Sequence, residues 1–137
     1  MADQFVGKWN LVDSDNFDAY MKQVGVGLVT RKIAANLKPT LDISTEGPNH
    51  WKIVSTSTFK TFATEFDLGK EFEEETADGR KMKSVFTMED GKLVQNQTKI
   101  SPSDKDSRFE RFIQDGKLVI TMQCGDVNAK RVYEKAT

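Results

Sequence analysis

One cysteine, one histidine and three prolines are all that this 137-residue chain holds of those residue types. The single thiol, Cys124, excludes an intramolecular disulfide. The single imidazole, His50, sits beside a turn, so a histidine metal cluster or a Cys–His nucleophile pair lacks the partners it needs. Ser-His-Asp chemistry would rest on that one ring. No glycine-rich segment matches a phosphate loop or a dinucleotide fingerprint. No apolar run is long enough to cross a bilayer as a helix. The formal net charge is -1 although 30% of the residues are charged, so no global field favours nucleic acid or an acidic membrane, and any basic surface must be local. These absences lead to the expectation of no cofactor, no metal, no nucleic-acid partner and no catalysis. The start, Met1-Ala2-Asp3-Gln4-Phe5, has neither the basic beginning nor the apolar core of a secretory leader. With one cysteine, the expected location is the reducing cytoplasm, with the nucleus left open.

What is present is aromatic mass and turn punctuation. Nine Phe, two Trp and two Tyr argue against disorder. The length fits one domain spanning 1–137 with a core of its own. Glu46-Gly47-Pro48-Asn49, Asp67-Leu68-Gly69, Asp78-Gly79, Asp90-Gly91, Asp115-Gly116 and Gly125-Asp126 punctuate the chain, with Ser101-Pro102-Ser103-Asp104 as another turn. Asp-Gly is a strong hairpin signal because both central residues of a type I′ turn need positive φ. Between the turns lie short segments rich in Val, Ile, Thr and Phe, which read as an antiparallel meander. The first third differs. After an apolar-alternating segment from Phe5 to Val12, Asp15 or Asn16 can cap a helix. Phe17, Tyr20, Met21 and Val24 then form one helical face. Gly25 and Gly27 interrupt it, and Val26, Val29, Ile33 and Leu37 form a second stripe that stops at Asn36 and Pro39. The expectation is one strand, a helix pair, and about nine further strands. A meander of that size manages its edges by closing into a barrel, which can enclose a cavity that the helices cap.

One strand carries a charge in an odd place. In Ser107-Arg-Phe-Glu-Arg-Phe-Ile-Gln114, Phe109, Arg111 and Ile113 share a face, by the two-residue period of a strand. The more apolar face therefore contains an arginine, which cannot shed its charge and needs an anion or acceptors. It could equally lie at a rim or pair with an internal carboxylate. On the last strand, Arg131 and Tyr133 share one face and Lys130, Val132 and Glu134 the other; alternation does not say which is inside. Cys124 alternates with Leu118, Ile120 and Met122 and reads as a small apolar barrel residue. The run Glu71-Phe72-Glu73-Glu74-Glu75 reads as a solvated strand and turn.

Taken in order, these segments resemble a known family. Gly7-Lys8-Trp9-Asn10-Leu11 with Asn16-Phe17-Asp18-Ala19-Tyr20-Met21 resembles the N-terminal signature of the intracellular fatty-acid-binding proteins. Gly25-Val26-Gly27, Thr30-Arg31-Lys32, Lys38-Pro39-Thr40, Ser57-Thr58-Phe59-Lys60 and Leu68-Gly69-Lys70-Glu71-Phe72 continue the match. Thr76-Ala77-Asp78-Gly79-Arg80-Lys81, Asp115-Gly116-Lys117-Leu118 and Arg131-Val132-Tyr133-Glu134-Lys135 complete it. The ordered set covers essentially the whole chain and is most similar to the heart, adipocyte and myelin branch. The resemblance implies an all-β fold, a ten-stranded up-and-down antiparallel β-barrel with a helix-turn-helix lid after the first strand. It implies a monomeric carrier of a long-chain fatty acid, whose carboxylate is bound by Arg111, Arg131 and Tyr133. The tail would line Phe17, Met21, Phe59, Ala77, Ile120 and Met122. Access would run between the second helix and the turns near Phe59 and Ala77. Lys22, Arg31 and Lys32 match a basic cluster on the lid of relatives, read either as contact with anionic membranes or as an ordinary solvated face.

Two departures from the family pattern stand out: the segment 96–108 is long and contains Pro102, and the turn at Pro48 is extended. Both read as turn insertions. A lipocalin-like secreted binder would share the early Gly-x-Trp but lack the helix pair. A retinoid carrier would use a similar arginine set. A membrane-stacking structural role would suit a strongly positive chain, which this is not.

Overall fold

The computed structural model describes residues 2–136. After a 3-10 turn at Ala2–Gln4 come β1 (Gly7–Asp15), α1 (Phe17–Val24) and α2 (Leu28–Ala35). Nine further strands follow: β2 (Thr40–Glu46), β3 (His50–Thr56), β4 (Thr61–Asp67), β5 (Phe72–Glu75), β6 (Lys81–Glu89), β7 (Lys92–Lys99), β8 (Ser107–Gln114), β9 (Lys117–Cys124) and β10 (Val127–Lys135). The strands form one ten-stranded antiparallel sheet in the order β4-β3-β2-β1-β10-β9-β8-β7-β6-β5. Each strand except at one junction pairs with its chain neighbour, and β1 pairs with β10. The hairpins turn where expected: Asp90 and Gly91 have φ of 52° and 80°, Asp115 and Gly116 of 53° and 76°, the positive values a type I′ turn needs.

The ring does not close through its backbone. β4 and β5 are the two ends of the sheet and do not pair. Side chains cover that seam instead. Phe66 stacks on Phe72 at 6.2 Å and on Phe86 at 3.6 Å. Thr64 donates to the Glu74 carboxylate at 3.1 Å. One backbone hydrogen bond, from the Gly69 N–H to the Phe86 carbonyl at 2.7 Å, ties the turn after β4 to β6. Phe5, Trp9 and Trp51 are fully buried with Phe86 in the main apolar cluster.

The first strand begins at Gly7, later than the Phe5–Val12 reading, and runs on to Asp15 through a register shift between Leu11 and Asp13. Asn16 precedes α1 as expected but does not cap it with its side chain. That amide donates to the Asn128 carbonyl at 2.7 Å, tying the helix start to β10. Gly25 ends α1 at φ 103°, a conformation that glycine adopts without steric cost. The second stripe is only partly buried: Val26 is, but Val29 is 74% exposed. The long segment after β7 holds a turn in which the Asp104 N–H meets the Ser101 carbonyl at 3.0 Å. The Asp106 carboxylate accepts from the Lys99 N–H at 2.8 Å. The register then resumes with Gln97 opposite Ser107.

Candidate functional site

A cavity of about 360 Å³ lies inside the barrel beneath the helices. Arg111 faces Ile120 in the β8–β9 ladder and Arg131 faces Ile120 in the β9–β10 ladder. The two arginines therefore flank one buried isoleucine on three neighbouring strands and project to the same face, and both line the cavity. Tyr133, two residues beyond Arg131 and thus on its face, is buried and pairs with Leu118 and Leu11. The alternation on the last strand is thereby resolved: Arg131 and Tyr133 point in.

Neither arginine has a carboxylate within ion-pair distance among the described residues. Among the described residues, one terminal nitrogen of Arg111, Nη1, is buried without a hydrogen-bond partner. Its guanidinium carbon sits 5.4 Å from the ring centres of both Phe86 and Phe109. Burial lowers its pKa to about 10, opposed by the Glu74 carboxylate and then by the Tyr133 and Tyr20 phenols. Arg131 lies over the Phe17 ring at 4.0 Å and donates through Nε to the Ser14 hydroxyl at 3.3 Å. Burial pulls its pKa down as well, with Tyr133 opposing. The Tyr133 phenol is pushed up by burial and pulled back by Arg131 and Arg111, so the three groups share one electrostatic neighbourhood. A pair of cations held over aromatic faces, with an unused donor, is arranged to receive an anion through charge-assisted hydrogen bonds.

A second polar group in the cavity contradicts the expectation of a solvated Glu71–Glu75 run. Phe72, Glu74 and Thr76 alternate inward, and Glu74 is 7% exposed. Its Oε1 accepts from Ser84 at 2.7 Å, Gln95 at 3.1 Å and Gln97 at 2.9 Å. The signal was available in the alternation with Phe72; the density of acidic residues hid it. Tyr20 donates to the Ser107 hydroxyl at 2.9 Å, and burial raises its pKa to about 12.

Of the expected tail contacts, Phe17, Met21, Phe59, Ala77 and Met122 line the cavity. Ile120 does not; it is buried in the wall between the two arginines. The expected access, between the second helix and the turns near Phe59 and Ala77, is lined by Thr30 and Ala34 of α2, by Leu37 just beyond it, and by Phe59 and Ala77. Phe59 is 56% exposed there, and Lys60 donates to the Ala77 carbonyl at 2.6 Å, joining the two turns. Of the basic cluster, Lys22 and Lys32 are exposed. Arg31 is not a free cation: it pairs with Asp18 at 3.2 Å and donates to the Val26 carbonyl at 2.7 Å. His50 lies on the outside of the sheet between Asp67 at 2.9 Å and Glu65 at 2.5 Å, away from the cavity.

A family model described as "Lipocalin / cytosolic fatty-acid binding protein family" matches residues 6–136. A Caenorhabditis elegans relative, fatty acid-binding protein homolog 6, is 50% identical over 97% of this chain and 98% of its own. The crystal structure of apo Caenorhabditis elegans lipid binding protein 8 superposes with a TM-score of 0.96 at 37% identity, covering 99% of this chain and 98% of that one. A Schistosoma mansoni fatty acid binding protein, solved in complex with arachidonic acid, gives a TM-score of 0.90 at 36% identity over 98% of this chain and 97% of that one.

Proposed function

The chain belongs to the lipocalin / cytosolic fatty-acid binding protein family, and from that premise we propose that it is an intracellular carrier of long-chain fatty acids, which it holds inside the barrel and moves between membranes and proteins. The observation that carries this reading is the pair of cavity-lining guanidiniums, Arg111 and Arg131, neither of which has an ion-pair partner among the described residues. Buried charge of that kind is costly without a counter-ion, and a carboxylate supplies it. Arg131 and Tyr133 take the carboxylate directly, and Arg111 stands close by or acts through water. The tail runs past Met122, Met21 and Phe17 toward Phe59 and Ala77, with Ile120 acting as the apolar floor under the headgroup. Each buried methylene contributes about 0.8 kcal/mol, so a long chain supplies ample gross energy for tight binding after the ordering costs.

The chain works as one monomeric domain in the cytoplasm, with the nucleus open to it, as a carrier and not as an enzyme. Transfer to anionic membranes uses Lys22 and Lys32, while Arg31 serves the lid internally. Titration calorimetry with oleate tests the site. Arg131→Gln should weaken binding roughly ten- to hundred-fold, the worth of a charged hydrogen bond, while the thermal melt stays cooperative. Unchanged affinity would count against the site. Mass spectrometry of lipid extracted from the native protein identifies the guest, and a retinoid in place of a fatty acid would redirect the reading.

A further inference from the structure

The ionisable side chains around the cavity do not sum to zero. Lys60, Glu74, Asp78, Arg80, Arg111 and Arg131 line it. Lys60 is exposed at the mouth, on the Ala77 carbonyl. Asp78 and Arg80 close on each other through contacts of 2.7 and 3.1 Å. Glu74, Arg111 and Arg131 remain on the inner wall.

Glu74 is surrounded by hydrogen-bond donors. Two of its donors, Gln95 and Gln97, present amide nitrogens that can only donate, and both go to the oxygen that also receives Ser84. The other oxygen receives Thr64. Glu74 and Arg111 line the same cavity without an ion pair between them, and of the charges acting on Arg111, Glu74 has the largest influence. One carboxylate against two guanidiniums leaves the inner wall with one uncompensated positive charge.

We infer that Glu74 sets the charge of the guest, restricting the cavity to headgroups that carry a single negative charge and turning away dianions such as lipid monophosphates. The inference rests on the carrier reading above and specifies its substrate class. A monoanion brings the interior to neutrality. A dianion leaves a net negative charge in a low-dielectric space, where it is poorly tolerated. The other groups nearby do not change the count near neutral pH. Tyr20 is pushed up to about 12 and Tyr133 is raised by burial, so both phenols stay neutral. The Asp78–Arg80 pair and the buried Cys124 thiol near Tyr20 complete the titratable surroundings.

Hexadecyl phosphate and palmitate, competing against a fluorescent fatty acid from pH 6 to pH 8, test this. A phosphate monoester loses its second proton near about pH 6. If only the monoanion is accepted, binding takes up that proton, and affinity for hexadecyl phosphate falls roughly tenfold per pH unit. Palmitate affinity stays level. A level phosphate affinity in the unmodified protein overturns the inference. Glu74→Gln keeps an oxygen for Gln95 and Gln97, and the Thr64 hydroxyl can turn to accept from the new amide. It should abolish the fall and raise the phosphate-to-palmitate affinity ratio at pH 8 by about tenfold or more; an unchanged ratio overturns the inference. The pH series needs no variant, so a folding defect in Glu74→Gln leaves a decisive measurement. Failure of the unmodified protein to bind palmitate would remove the carrier reading and this inference together. Palmitate binding with pH-independent phosphate binding would remove this inference alone.

Discussion

The two lid helices have the same length and opposite fates. α1 and α2 are eight residues each. α1 buries Tyr20, Met21 and Val24 and packs against β9 and β10. α2 buries no residue completely and leaves Leu28 and Val29 58% and 74% exposed. α1 is also tied to β10 through the Asn16 side chain and stacks Phe17 on Tyr20. The same division runs through the barrel. On the α1 side, β1, β10 and β9 pair continuously; the opposite side holds the unpaired β4–β5 seam. The expected mouth of the cavity, between α2 and the turns carrying Phe59 and Ala77, lies near that seam. Arg131 thus lies under the well-buried helix, while α2, the less buried of the two, lines the cavity beside the turns carrying Phe59 and Ala77. Local opening draws on such low-stability elements.

The largest contrast should appear in a pair of truncations. Met21→Ala on α1 should cost about 2–5 kcal/mol in urea denaturation, as buried methionines do. Val29→Ala on α2 should stay within about 0.5 kcal/mol. Equal costs would erase the distinction between the helices. A smaller effect is expected at the joint between them. Arg31→Met removes the link to Asp18 and the Val26 carbonyl and should cost about 1 kcal/mol. It should also speed oleate release in stopped-flow measurements, and an unchanged release rate would mean that α2 does not gate the mouth. Lys22→Glu combined with Lys32→Glu should slow transfer to anionic vesicles without changing equilibrium affinity; equal transfer rates would remove the membrane contact.

The smallest effect concerns the seam side. His50 on β3 bridges Asp67 and Glu65 on β4, bracing the end strand of the sheet. Hydrogen bonds to Glu65 and Asp67 raise the His50 pKa, so its bracing is complete below its unfolded pKa and is lost as pH rises through the higher folded value. Glu65 is lowered by the same contact, so its share is present above its unfolded pKa and is lost as pH falls through the lower folded one. Amide exchange in β4, corrected for intrinsic rates, should therefore be slowest between those two limits, with β10 much less affected. A flat profile in β4 would show that the bridge is inert.

Much of this was legible in the residues themselves. Positive-φ dipeptides place the hairpins because few residues tolerate that conformation. Tyr20, Met21 and Val24 keep their helical face, and Phe109 and Arg111 keep their shared strand face. The failures have specific causes. Val29 has the right spacing for burial, yet the fold leaves it exposed. Arg31 looks like one more lid cation until the fold brings Asp18 beside it. Glu74 is masked by acidic neighbours that point the other way.

Periodicity is a local property of the backbone. It determined, without any structure, that Arg131 goes with Tyr133, that Arg111 goes with Phe109, and that one strand and a helix pair precede a meander. Which face of the last strand is inside, which junction stays unpaired, and which buried carboxylate acts on Arg111 depend on contacts between residues far apart in the chain. Those were decided only when the sheet curled and one surface was withdrawn from water, because the cost of an unpaired charge arises only there.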